Sequence, residues 1–240
     1  MLVYLAYRLT LYYEMTNLKD TKINKEVNLC KVVEVRDITE ASYIIRFNRN
    51  GLEFKPGQHL VAGIPGMKDG REYSIYSGID DIFLEILVRE VDKGNLSNKL
   101  RKVKPDDELE ISGPFGFFMY NTLPPNFKKL VFVASGTGIA PFHSFVKSYP
   151  NSDYRIIHGI RNIEESYGKQ DYADDRYFSC TSGDIRGDYH GRLTGYLQMA
   201  EFSNDIMFYF CGNNSMILDA INMLEEKGFP HSQMYREVYF

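Results

Sequence analysis

The stretch VFVASGTGIAPF, residues 131–142, reads as a buried strand that runs into two glycines and then into a helix with Pro141 in its first turn. Gly136 and Gly138 let the backbone approach a ligand closely, and the unpaired N–H groups of a helix start favour a phosphate. Tight strand-to-helix packing in any α/β sheet calls for the same glycines, so the turn alone does not decide between packing and binding. It is not the G-x-G-x-x-G dinucleotide fingerprint, because Ala140-Pro141 occupies the end of the motif and no acidic residue stands about 20 positions on.

The residues beyond the turn decide the architecture of this half. Short apolar runs alternate with helical stretches: YRIIHGI (154–160), RYFSCTS (176–182) before GRLTGYLQMA (191–200), DIMFYFCG (205–212) before SMILDAINMLEEKG (215–228), and a closing QMYREVYF (233–240). That rhythm predicts an α/β doubly wound parallel sheet over 130–240. Upstream, NTLPPNFKK (121–129) breaks the pattern with two prolines and marks a linker at 122–129. Before it, β-branched and aromatic runs (CKVVEVRDI, YIIRFNR, HLVAGIP, REYSIYS, FLEILVREV, DELEISGPFG) are separated by Asn50-Gly51, Pro56-Gly57, Pro65-Gly66 and Pro105-Asp106. Six strands at that spacing predict an antiparallel six-stranded β-barrel over 27–121, interrupted by one helical piece, LSNKLRKV, after Gly94.

Length agrees with this division, since 240 residues fit two cores of about 110–130 residues each. A net charge of −4 excludes the concentrated basic face that nucleic acid requires. Cys30, Cys180 and Cys211 stand far apart, without the spacing of a zinc or iron–sulfur site, and so sparse a set fits a reducing, cytoplasmic setting. His158 has no second ligand near it in sequence and reads as a core or strand-end histidine. The apolar MLVYLAYRLTLYY is 13 residues long with Arg8 inside it, short of the roughly 20 that cross a bilayer. Residues 1–26 are expected to be an N-terminal extension, with 1–14 an upstream start or appendage before Met15. A monomer or weak dimer is expected.

The barrel half carries its own anion features. In REYSIYSG (71–78) side chains alternate, so Arg71, Tyr73, Ile75 and Ser77 face one way and Glu72, Ser74 and Tyr76 the other. A fixed cation and an aromatic plate about 7 Å apart on one face suit an aromatic heterocycle on a pyrophosphate tether. In GNLSNKL (94–100) the helix start and the Ser97 hydroxyl are a second phosphate-directed feature, which an ordinary capped helix would also present.

At these residues the chain resembles the ferredoxin–NADP reductase family, whose flavin motif R-x-Y-S reads here Arg71-Glu72-Tyr73-Ser74. The likeness continues through Gly94-Asn95-Leu96-Ser97, Gly113-Pro114-Phe115-Gly116, the G-T-G-I-A-P run at 136–141, His158-Gly159-Ile160-Arg161, Gly191-Arg192, Cys211-Gly212-Asn213 and Glu237-Val238-Tyr239-Phe240, in the family's order over about 210 residues. It implies FAD on the barrel and NADP(H), or NAD(H), on the sheet, with hydride passing between them and single electrons to a separate ferredoxin or flavodoxin.

By the same resemblance Arg71 holds the FAD pyrophosphate, Tyr73 lies against the isoalloxazine and Ser74 bonds near flavin N5, while Leu87, Asn95, Leu96 and Ser97 complete the seat. Gly136, Thr137 and Gly138 face the nucleotide pyrophosphate. Cys211, followed by Gly212, stands beside the nicotinamide, Glu237 and Tyr239 form the tail that covers the flavin, and Phe240 packs on the adenine end. NADPH-selective relatives often place an arginine after the Thr181 position; Ser182 stands here, leaving Arg161 and Arg192 as the candidate 2′-phosphate ligands. The basic run Lys99, Arg101, Lys102 and Lys104 is either a solvated helix face or a landing site for an acidic carrier. Two other readings are a flavin-holding electron-transfer subunit of a larger complex and an NADH-dependent flavin, quinone or oxygenase reductase component.

Overall fold

The computed structural model describes residues 27–91, 94–119, 127 and 129–239; the expected N-terminal extension, most of the linker and Phe240 lie outside them. The first half is six strands, β1 (Asn28–Thr39), β2 (Ser42–Asn48), β3 (His59–Gly63), β4 (Arg71–Ser74), β5 (Phe83–Arg89) and β6 (Glu108–Phe115), with one short helix, α1 (Asn95–Leu100). They pair antiparallel in the order β4-β3-β6-β1-β2-β5.

REYSIYS, expected as one strand, is divided at Ser74, and closure of the barrel is the reason. Past Ser74 the chain leaves β3 and crosses to β5: the Ile75 N–H donates to the Gln58 carbonyl at 3.0 Å, and the Tyr76 N–H to the Glu85 carbonyl at 2.8 Å. The bridge between Ile75 and Ile86 then joins the two ends of the sheet, which removes its free edges. Phe47, Leu60, Ile75, Ile86 and Leu109 fill the interior.

The second half is a parallel sheet of β7 (Lys129–Ser135), β8 (Tyr154–Ile160), β9 (Tyr177–Thr181), β10 (Tyr189–His190), β11 (Ile206–Asn213) and β12 (Met234–Tyr239), ordered β10-β9-β8-β7-β11-β12. The helices are α2 (Ala140–Ser148), α3 (Leu193–Met199) and α4 (Asn214–Glu226). The two-residue β10 has no counterpart in the sequence pattern, being too short to show any period. Strand β7 lies between β8 and β11, so the chain winds outward from it in both directions. Its C-terminal end is therefore the switch point at which ligands bind in open α/β sheets.

Alternation along β7 separates two cores. Val131 and Val133 join Phe208, Phe210, Ile217 and Leu224 under α3 and α4. Phe132 and Ala134 face the other way, into a cluster that takes Tyr76, Leu87 and Phe118 from the barrel half as well as Phe142, Phe145 and Tyr209. The Phe118 ring centroid lies 5.7 Å from Tyr209, 5.9 Å from Phe142 and 6.0 Å from Phe145. Next to it His143 stacks on Tyr76, with centroids 3.6 Å apart and planes 6° from parallel. Its Nδ1 lies 2.6 Å from the Tyr76 carbonyl oxygen and its Nε2 2.8 Å from Asp171. Lys147 Nζ donates to Asp81 at 2.6 Å, and the Ile79 N–H to Ser148 Oγ at 2.9 Å. One continuous aromatic core thus fixes the two halves against each other.

Phe142 is fully buried and stacked 4.8 Å from Phe132, so Phe142→Ala is expected to cost about 3–5 kcal/mol in urea unfolding. A loss below about 1 kcal/mol would contradict the packing described.

Candidate active site

The site is assembled where β4 meets the C-terminal ends of β11 and β12. Ser74, the last residue of β4, is buried. Glu237 and Tyr239, two residues apart on β12, project on one face, and β12 runs parallel to β11 with Cys211 opposite Glu237 and Asn213 opposite Tyr239. The Tyr239 hydroxyl donates to Ser74 Oγ at 2.6 Å, and Ser74 donates in turn to Glu237 Oε2 at 3.3 Å. The Cys211 thiol lies beside the Tyr239 hydroxyl. His59 stands beside the carboxylate, Nδ1 3.9 Å from Glu237 Oε1, and its Nε2 is 4.0 Å from the exposed Glu72.

Four of the expected residues, Ser74, Cys211, Glu237 and Tyr239, thus lie together although 165 positions separate the first from the last. Burial and the nearby Glu72 charge push the Glu237 carboxyl up to about 7, against the opposing hydrogen bond from Ser74. Burial also drives the Cys211 thiol and the Tyr239 hydroxyl well above their ordinary ranges, so both stay protonated at neutral pH. Cys211 is accordingly a small, neutral, buried side chain and not an activated nucleophile.

The glycine turn lies next to this cluster. Gly136–Ile139 forms a 3-10 turn ahead of α2, with Gly136 at φ +53°. A Cβ added to Gly138 would collide with the Cys211 carbonyl, and one added to Gly212 (φ +131°) would collide with Ser135 Oγ. The Asn213 N–H donates to that same Ser135 Oγ at 2.9 Å. These glycines therefore join the ends of β7 and β11 directly. Gly136 differs: the nearest group to an added Cβ is Arg89 Nη1, at 3.6 Å.

Arg89 is a residue that sequence reasoning misses. It ends β5, pairs with Glu165 at 3.5 Å and reaches across to the second half. A cation closing the buried run Leu84–Val88 is the signal that could have found it.

The other expected residues fall into two groups. Arg71 is exposed, its Nη1 donating to the Gly70 carbonyl at 3.0 Å, with no carboxylate at ion-pair distance among the described residues. Tyr73 is half-buried against the barrel core, which raises its hydroxyl to about 12. Leu87 belongs to the core between the halves, Asn95 is exposed, and Leu96 and Ser97 are buried. Ser97 Oγ accepts the Val91 N–H at 3.3 Å within the turn before α1. Thr181 points inward, its hydroxyl donating to the Asp184 carbonyl at 2.6 Å, while Arg161, Ser182 and Arg192 are not buried. From the basic run, Arg101 is held by Asp37 at 3.0 Å and Glu90 at 3.2 Å.

Residues 29–120 match the family of oxidoreductase FAD-binding domains. The ferredoxin–NADP reductase of Azotobacter vinelandii is 27% identical to this chain over 239 residues, covering 86% of the chain and 92% of that protein. Phenol hydroxylase P5 protein of Acinetobacter pittii is 27% identical over 86% of the chain, which spans 64% of that relative's own length. A ferredoxin NADP+ reductase structure from Neisseria gonorrhoeae, with bound FAD and NADP, superposes with a TM-score of 0.80 at 22% identity, over 90% of this chain and 99% of that one. The fold is shared.

Folded Glu237 keeps its proton up to about pH 7, whereas the ordinary glutamate value is 4.5. Folding therefore takes up a proton between these limits, and the stability from this group falls as pH rises through that window. Glu237→Gln is expected to flatten the change in Tm between pH 5 and pH 8; a variant that keeps the full dependence would place its source elsewhere.

Proposed function

We propose that this chain is a member of the ferredoxin–NADP reductase family, a flavoprotein oxidoreductase that moves hydride between NADP(H) and FAD and single electrons between FAD and a separate carrier, a ferredoxin or flavodoxin; the likeness to such reductases and to FAD-binding domains supports it. The observation that supports it best is the chain of hydrogen bonds from Tyr239 through Ser74 to Glu237 where the two halves meet.

The residues present fit a flavin dinucleotide. Arg71 is exposed and, among the described residues, free of ion pairs with carboxylates, as a pyrophosphate ligand must be; Tyr73 and Ser74 lie beyond it on opposite faces of one strand. Bound there, FAD would supply the two-electron and one-electron chemistry that no side chain carries. The barrel would supply orientation through Arg71, Tyr73 and Ser74, and Leu87, Asn95, Leu96 and Ser97 are the further residues assigned to the seat. Ser74 is polarised in one direction, accepting from Tyr239 and donating to Glu237. Glu237, which titrates near neutrality, is suited to hold or release a proton at this point.

The nicotinamide nucleotide is assigned to the switch point. Gly136, Thr137 and Gly138 offer backbone N–H groups and Arg89 adds a cation beside Gly136, with Cys211 and Gly212 packed directly against the turn. Arg161 and Arg192 are the accessible cations for a 2′-phosphate. Arg186 is not available, because Asp184 and Glu164 hold it. NADP(H) is the proposed coenzyme, with NAD(H) accepted less well. The three cysteines are free, buried and far apart, so the one-electron carrier lies outside these 240 residues and a reducing cytoplasm suits the chain. Likeness to phenol hydroxylase P5 protein supports a second reading, in which the same site serves as the reductase part of an oxygenase system. Among the described residues no helix is long and apolar enough to cross a membrane.

Purified protein is expected to be yellow and to release FAD; colourless protein that takes up no flavin would overturn the proposal. Ser74→Ala is expected to lower the rate of hydride transfer at least about tenfold, with FAD content unchanged. The ratio of kcat/KM for NADPH over NADH tests the coenzyme, and a preference of about tenfold for NADH, roughly 1.4 kcal/mol, would reverse that assignment.

A further inference from the structure

The register of β7 with β8, Ala134 opposite His158 and Ser135 opposite Gly159, brings His158 beneath the turn that starts at Gly136. Its side chain is fully buried. Nε2 lies 2.8 Å from the Gly136 carbonyl oxygen, and Nδ1 lies 2.8 Å from the Tyr177 hydroxyl. A carbonyl oxygen only accepts, so Nε2 carries the proton. Nδ1 then presents its lone pair, and Tyr177 donates to it. Burial also drives the imidazole down to about 4, which keeps this one neutral tautomer through the working pH range.

Peptide geometry carries this constraint to the next residue. In a planar trans peptide the C=O of one residue and the N–H of the next point in opposite directions. With the Gly136 carbonyl drawn inward to His158, the Thr137 N–H points outward, and the first N–H groups of a helical turn have no partner within it. Gly136 sits at φ +53°, in a region where glycine alone moves freely, so an unrestrained Gly136–Thr137 peptide would rotate.

We infer that His158 is a positioning residue for the nicotinamide nucleotide, acting through the Gly136 carbonyl to aim the Thr137 N–H into the crevice. The inference rests on the coenzyme assignment proposed above.

Three variants separate positioning from mere packing. His158→Gln places its amide nitrogen the same number of bonds from Cβ as Nε2, His158→Asn reaches only as far as Nδ1, and Tyr177→Phe removes the donor that fixes the tautomer. NADP+ and NAD+ binding to the oxidised holoprotein is measured by calorimetry, the Thr137 amide by 15N–1H NMR without nucleotide, and Tm and flavin content on each sample. His158→Asn is expected to weaken NADP+ binding about three- to tenfold and to shift the Thr137 amide. His158→Gln should stay within about twofold of the wild type, with flavin content constant throughout. Equal affinity in the wild type, Asn and Gln forms, or losses in both that track Tm alone, would overturn the role while leaving the coenzyme assignment intact. If His158→Asn does not fold, Tyr177→Phe decides: a shifted Thr137 amide with weaker binding supports the role, and an unchanged amide overturns it. A wild-type protein that binds neither nucleotide overturns the coenzyme assignment and the role with it.

Discussion

The aromatic seam between the two halves is the constraint on which the rest of the molecule depends. Phe118 from the barrel side sits among Phe142, Phe145 and Tyr209 of the sheet side, and Tyr76 is stacked on His143 at its margin. Such rings bury large apolar areas and have preferred mutual geometries, so they resist both separation and sliding. Hydrogen bonds to the Tyr76 carbonyl and the Ile79 N–H, with the Lys147–Asp81 ion pair, fix the rotational setting. A crevice defined by two separately folded halves keeps its width only if something of this kind holds them.

Given that setting, the polar residues at the crevice have little freedom. The chain must leave β3 just past Ser74 to close the barrel, which sets Ser74 at the ends of β11 and β12. Glu237 and Tyr239 reach it because the last strand is parallel to β11 and in register with Cys211. The carboxyl group is half enclosed by the same packing, and its raised proton affinity is a direct result of that enclosure. The electrostatics of the crevice are set by the fold and not by any one side chain.

Much of this was legible in the sequence, for reasons that differ by element. The parallel sheet was readable because its strands are short apolar runs divided by helices of distinct period, and the barrel because β-branched runs end at Asn-Gly and Pro-Gly turns. The split in REYSIYS was not readable: it depends on Ile86, found only once the sheet curves round to meet itself. The place of Arg89 beside Gly136 and the contact of His158 with the Gly136 carbonyl were equally hidden, since 47 and 22 positions separate them from that glycine. Ser74, Cys211, Glu237 and Tyr239 emerged only through family resemblance, because no local period joins residues so distant. Thr181 shows the reverse case, a residue the resemblance marks for the coenzyme whose hydroxyl the fold engages within its own loop.

The register of β12 against β11 has a further consequence for biosynthesis. Ser74 emerges from the ribosome long before residues 237 and 239, with which it bonds. A nascent or prematurely terminated polypeptide ending ahead of Met234 would lack the outermost strand of the parallel sheet together with half of the proton-bearing groups. The hydrogen bonds that join Tyr239, Ser74 and Glu237 are thus withheld until translation has passed the final strand, and truncated products lack them.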